Sequence, residues 1–124
     1  METQEILTSS IVDLTSLKDF FSSDKDSLIQ LIGVYISDTA PRVDTLEECI
    51  TNIDYEAVKN ICHFLKSSLG LMGVKCLEEV ANLEKLAQKK ESKEIIKDRL
   101  KFIVPICRDS ITEYKLILSR LEAL

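Results

Sequence analysis

The sequence predicts an all-α protein: an up-down four-helix bundle with a short N-terminal capping helix, in one domain spanning residues 1–124. Three observations lead there. Only three Gly and two Pro punctuate the chain, so its elements are few and long, which argues against a many-stranded β fold. Apolar residues recur at spacings of three and four, and no segment alternates cleanly with period two. The breaks between periodic stretches are about four residues long, a length that sets neighbouring helices antiparallel.

The elements follow in order. Asp13 precedes Leu14, Leu17, Phe20 and Phe21, a cap followed by a short amphipathic helix. Ser22, Ser23 and Asp24 break that helix and offer the next cap. Leu28, Ile32, Tyr35, Thr39, Val43, Leu46, Ile50 and Ile53 trace the inner side of a long helix. Pro41 lies inside it, removes a donor and crowds the preceding turn, so a kink or a split near Ala40 is expected. Residues 52–54 form a turn, and Asp54 caps the helix that holds His63. That helix runs to about Met72, where Gly73 ends it. A fourth helix has Cys76, Leu77, Val80, Leu83 and Ala87 as its inner stripe and closes in the polar residues 88–91. Ser92 caps a last long helix, with Ile96, Leu100, Ile103, Val104, Cys107, Ile111, Tyr114, Ile117, Leu118 and Leu121 inward and a bend expected at Pro105.

Charge and composition narrow the function. A net charge of −5 argues against a general nucleic-acid binder, which usually carries a basic excess. The opening residues METQEILTSS have neither a basic region nor an apolar stretch, so no signal peptide is expected. No apolar run is long enough for membrane insertion. Cys49, Cys62, Cys76 and Cys107 are widely spaced and form no C-x-x-C pair. They read as reduced, buried small hydrophobes of a cytoplasmic, monomeric protein, with no metal site.

The only histidine, His63, is the centre of interest. With Val58 at zero on a helical wheel, Ile61, Cys62, Leu65, Leu69 and Met72 fall within roughly 60°, and this stripe faces the core. His63 lies about 140° away, Lys59 about 100°, Lys66 about 80°, Ser67 about 180° and Gly70 about 120°. A lone surface histidine most often does nothing. Here residues 57–77 hold Lys59, Lys66 and Lys75 but no acid, in a chain with 21 acids. The neighbourhood of the imidazole therefore suits an anion. Ser67 and Gly70, one turn on, are small and leave the ring open to another protein. An imidazole nitrogen is a competent nucleophile at neutral pH, and Lys66 can neutralise the oxygens of a phosphoryl group held on it. There is no phosphate-binding Gly-rich loop and no carboxylate cluster for Mg²⁺. The chain is thus expected to be a carrier without kinase activity or cofactor of its own.

The run His63-Phe64-Leu65-Lys66-Ser67-Ser68-Leu69-Gly70-Leu71-Met72-Gly73 resembles the signature H-x-[LI]-K-G-[SA]-[SA]-x-x-x-G of histidine phosphotransfer (HPt) domains. Leu77, the pair Leu83-Glu84, residues 13–17 and residues 35–41 are also similar to that family, and the resemblance spans residues 11–121. It implies that His63 accepts a phosphoryl group from a receiver-domain aspartyl phosphate and passes it to another receiver, in a two-component phosphorelay. Lys66 would be the lysine beside it, and Lys85 would stand at the place of a polar side chain near the phosphoryl group. For Lys85 the plain alternative is a solvated helix-face lysine. Mg²⁺ would sit on the partner receiver. Ser67 departs from the family's usual Gly, which lets the receiver approach closely.

Lys59, Asn60, Phe64, Ser67 and Gly70 are the expected receiver-docking surface. Phe64 and Leu71 share another outer side of the helix, near −120° and −140°. Either the N-terminal helix covers them or they form an apolar docking patch. The alternative function is an HPt-like adaptor that binds signalling domains without carrying phosphate, which Ser67 favours. A thiol enzyme using Cys62 with His63 fails on geometry, because adjacent helical residues point about 100° apart.

Overall fold

The computed structural model describes residues 6–21 and 24–124, and within them the chain is all-helical, with no strand. Five helices follow in order: α1 (Thr15–Phe21), α2 (Lys25–Thr51), α3 (Tyr55–Leu71), α4 (Leu77–Gln88) and α5 (Lys93–Glu122). The long α2 lies along α5 and the shorter α3 along α4. Contacts between α2 and α3 and between α4 and α5 complete the packing, and α1 rests on α2.

Side chains at the helix starts explain where the elements begin. Asp24, Asp54 and Ser92 each accept a hydrogen bond from the backbone N–H three residues on, capping α2, α3 and α5. Asp13 accepts from the Thr15 N–H and hydroxyl ahead of α1. Ser22 and Ser23 lie outside the described residues.

Of the kink or split expected at Pro41, the split does not occur: α2 runs unbroken from Lys25 to Thr51, and α5 is likewise continuous through Pro105. Both prolines are on exposed faces, so the carbonyl that each leaves without a donor can turn to water. Two further expectations change. Leu77 is 39% exposed rather than inward, and Phe20 is 74% exposed, leaving Leu17 as the buried residue of α1.

The core takes Leu28, Ile32 and Leu46 from α2, Val58, Leu65 and Leu69 from α3, Val80 and Leu83 from α4, and the inner face of α5. Its polar members are tied down. The Ser110 hydroxyl donates to the Cys107 carbonyl at 2.7 Å, so the Tyr35 hydroxyl must donate to Ser110, at 2.6 Å. All four cysteines are buried free thiols.

The end of α3 is built most tightly. The Val74 N–H reaches the Leu69 carbonyl and the Gly73 N–H the Gly70 carbonyl, the paired bonds of a Schellman motif. Gly73 has φ +66°, and a Cβ there would lie 1.8 Å from the Asp13 carbonyl oxygen. Only glycine fits this position. The Asp13 N–H donates back to the Gly73 carbonyl at 2.9 Å, and the buried Tyr114 hydroxyl donates to the Met72 carbonyl.

Candidate functional site

The outer face of α3 presents Asn60, His63, Phe64, Ser67 and Gly70, all exposed. Their common direction follows from the inward stripe of Val58, Cys62, Leu65 and Leu69, which fixes the roll of the helix. The His63 side chain is 73% exposed. Its Nδ1 lies 2.9 Å from Glu84 Oε2, on α4, and its Nε2 makes no hydrogen bond among the described residues. The other oxygen of the same carboxylate, Glu84 Oε1, is 2.8 Å from Lys66 Nζ. One carboxylate thus bridges the imidazole and the lysine.

Lys66 leads the causes that hold the Glu84 carboxyl below the usual carboxylate range, and the His63 ring adds to it against partial burial. An ionised carboxylate only accepts hydrogen bonds. The arrangement therefore favours the proton on Nδ1 and leaves the Nε2 lone pair facing outward.

One expectation is corrected here, and two of the expected site residues find their places. The neighbourhood of His63 is free of acids along the sequence but not in space, because Glu84 arrives from α4. Lys66 is paired with Glu84. Lys85 is exposed and joins no hydrogen bond or ion pair among the described residues; its neighbour Glu84 takes the place beside the imidazole. The reason is the roll of α4. With Val80 of the buried stripe at zero, Glu84 lies about 40° away, at the edge of the stripe and turned towards α3, and Lys85 about 140° away, turned to water.

The remaining docking candidates sort by flank. Lys59 is paired with Glu56 at 2.8 Å, one turn before it. Gly70 is open, and a Cβ there would meet only Leu77 Cδ2 at 3.6 Å. The half-exposed Leu77 is a member of this surface that sequence reasoning put in the core. On the α2 flank, the Arg42 guanidinium stacks over the Phe64 ring, 3.6 Å from its centroid, and its Nη1 donates to the Asp38 carbonyl. Phe64 remains 38% exposed under that lid. Leu71 is partly buried, in a shallow apolar groove with Leu31, Val34 and Ser68. α2 therefore borders Phe64 and Leu71.

Two departures from the HPt signature differ in kind. Ser67 is exposed on the His63 face, whereas Leu69, where the signature has a small residue, is fully buried. The neighbouring Cys62 is also buried, and its thiol is pushed up to about 12, first by burial and then by the charge of Glu84. It is no nucleophile at neutral pH. No helix among the described residues is long and apolar enough to cross a membrane. Comparison with family models, with curated proteins and with solved structures found no match.

Proposed function

We propose that this chain is a histidine phosphotransfer module, a cytoplasmic monomer that takes a phosphoryl group from one receiver domain onto His63 and passes it to another. Its four long helices would form an up-down four-helix bundle, with α1 as a cap. The observation that carries this reading is the state of the one imidazole: 73% exposed, with Nδ1 occupied by Glu84 and Nε2 open. A histidine held in this way is a poised nucleophile, since its orientation is fixed and its reactive nitrogen faces a partner. Lys66, one turn on and joined to the imidazole through the shared Glu84 carboxylate, would supply positive charge to oxygens bound at that nitrogen. Ser67 and Gly70 leave room for the partner's surface. Mg²⁺ would be held by the receiver, and the net charge of −5 argues against nucleic acid as a partner.

The test is transfer from a phosphorylated receiver of the same cell. The chain should gain one acid-labile phosphoryl group, and His63→Gln should gain none while keeping its helical spectrum and melting temperature. Nucleotide alone should label neither. Undiminished labelling of His63→Gln would refute the assignment. The adaptor reading, favoured by Ser67 in place of glycine, predicts receiver binding with no phosphoryl gain in the parent protein.

A further inference from the structure

We propose that the turn end of the α4–α5 hairpin docks on the headgroup layer of an anionic lipid membrane, without spanning it. This goes beyond the phosphotransfer reading and does not depend on it. Residues 85–101 hold six Lys and one Arg against three acids, Glu91, Glu94 and Asp98. The stretch carries a net charge of +4 in a chain of −5, an asymmetry that points to an anionic surface as partner. Its cations are exposed, apart from the half-buried Lys97, and none joins an ion pair among the described residues. Two large apolar side chains stand exposed among them, Ile95 and Phe102, the latter 54% exposed. With Leu100 of the buried stripe at zero on the wheel of α5, Ile95 and Phe102 lie about 140° and 160° round to one side. Arg99 lies about 100° round to that side and Lys101 about 100° round to the other, so cations flank the apolar pair.

The turn supplies a second, independent observation. Lys90 has φ +54°. Its N–H reaches the Ala87 carbonyl and the Glu91 N–H the Leu86 carbonyl. Lys90 therefore holds the left-handed position that ends a helix, where glycine is the unstrained residue. A cation kept there at a cost to the fold points to a use for its charge. The Tyr55 hydroxyl donates to the Glu91 carbonyl at 2.7 Å and pins the turn to the start of α3.

The chemistry of the patch favours lipid over other anions. Six of its seven cations are lysines, mobile point charges that suit a diffuse headgroup layer, whereas nucleic-acid and carboxylate sites favour the planar fork of Arg. The lysines draw the chain to the surface, and Ile95 and Phe102 reach the acyl boundary. α3 and α5 each pack on α2 and α4 and so stand diagonally. On the membrane, the outer face of α3 with His63 is then turned away from the lipid.

The test is co-sedimentation of the whole chain with vesicles. Mixed phosphatidylcholine and phosphatidylserine vesicles should carry it down, pure phosphatidylcholine should not, and added salt should release it. Lys89→Glu with Lys93→Glu should lower the bound-to-free ratio by about tenfold or more. Phe102→Ser should lower it about threefold. Lys90→Gly should melt higher than the parent yet bind about threefold less. Lys115→Glu, a charge reversal outside the patch, should bind within about twofold of the parent. Helical spectra and melting temperatures separate a lost surface from a lost fold. Equal binding to neutral vesicles, no binding to the charged ones, or patch variants that bind as the parent does would overturn the proposal. So would an equal loss with Lys115→Glu, which would make net charge the cause. A chain that ignores vesicles but is retained by RNA or heparin would also overturn it and make the patch a site for another polyanion.

Discussion

The two flanks of α3 are built from different chemistry. On the α4 side, the contacts are polar: His63 and Lys66 share one carboxylate. On the α2 side, the contact is an aromatic ring under a guanidinium, with a shallow apolar groove beyond it. The first flank acts on the imidazole itself. The second touches no reacting atom and offers the half-exposed ring and groove that a partner needs as an anchor. On the phosphotransfer reading, positioning of the nucleophile and attachment of the partner would be divided between two helices, with the exposed ridge of His63 and Ser67 between them.

Substitutions on the ridge and on each flank can break that division. The largest effect is expected on the ridge. Ser67→Arg should fold within about 0.5 kcal/mol of the parent but transfer at least tenfold more slowly, a loss of about 1.4 kcal/mol of docking. Equal transfer kinetics from one phosphorylated receiver would mean that the partner does not settle over this turn. On the α2 flank, Phe64→Ala should cost about 1 kcal/mol of receiver affinity and leave the His63 tautomer unchanged. Titration calorimetry with the receiver, set beside the imidazole spectrum, checks both halves. Arg42→Ala should lose about 0.5–1 kcal/mol of cation–π stabilisation, seen as a small drop in the denaturation midpoint. The smallest effect is expected at Lys59. Its pair with Glu56 spans one exposed turn and contributes about 0.2–0.5 kcal/mol, so Lys59→Ala should transfer within twofold of the parent. A tenfold loss there would move the interface towards the start of α3.

The helices, their caps and most of the core stripe were legible in the sequence, because caps and periodicity are local. Asp54, Ser92 and Gly73 act where their residue types suggest. At Pro41 periodicity left a kink and a split both open, because a proline removes one donor and crowds one turn without fixing whether the helix continues; the helix is not split there. At the site, the exposed ridge was legible from the roll of α3. The charge around His63 was not, because a run of residues without acids says nothing about what a neighbouring helix brings. Glu84 could have been found by the same wheel applied to α4, where it falls near the buried stripe and Lys85 does not. Arg42 could not have been found that way. Its contact with Phe64 depends on the register of α2 against α3, which the periodicity of either helix leaves open.

The fastening at Gly73 has a mechanical side. The last turn of α3 is held by the Asp13 backbone on one face and by the Tyr114 hydroxyl on another. A helix fastened at its end resists screwing and sliding about its axis. Most of the travel left to the imidazole is then that of its own two side-chain torsions. Two different receivers would meet the same stationary target, and whatever accommodation their shapes require would have to come from their own loops. Little ordering entropy would then be left for this chain to lose on contact, which would suit the proposed carrier, since it would have to release each partner as readily as it takes the next.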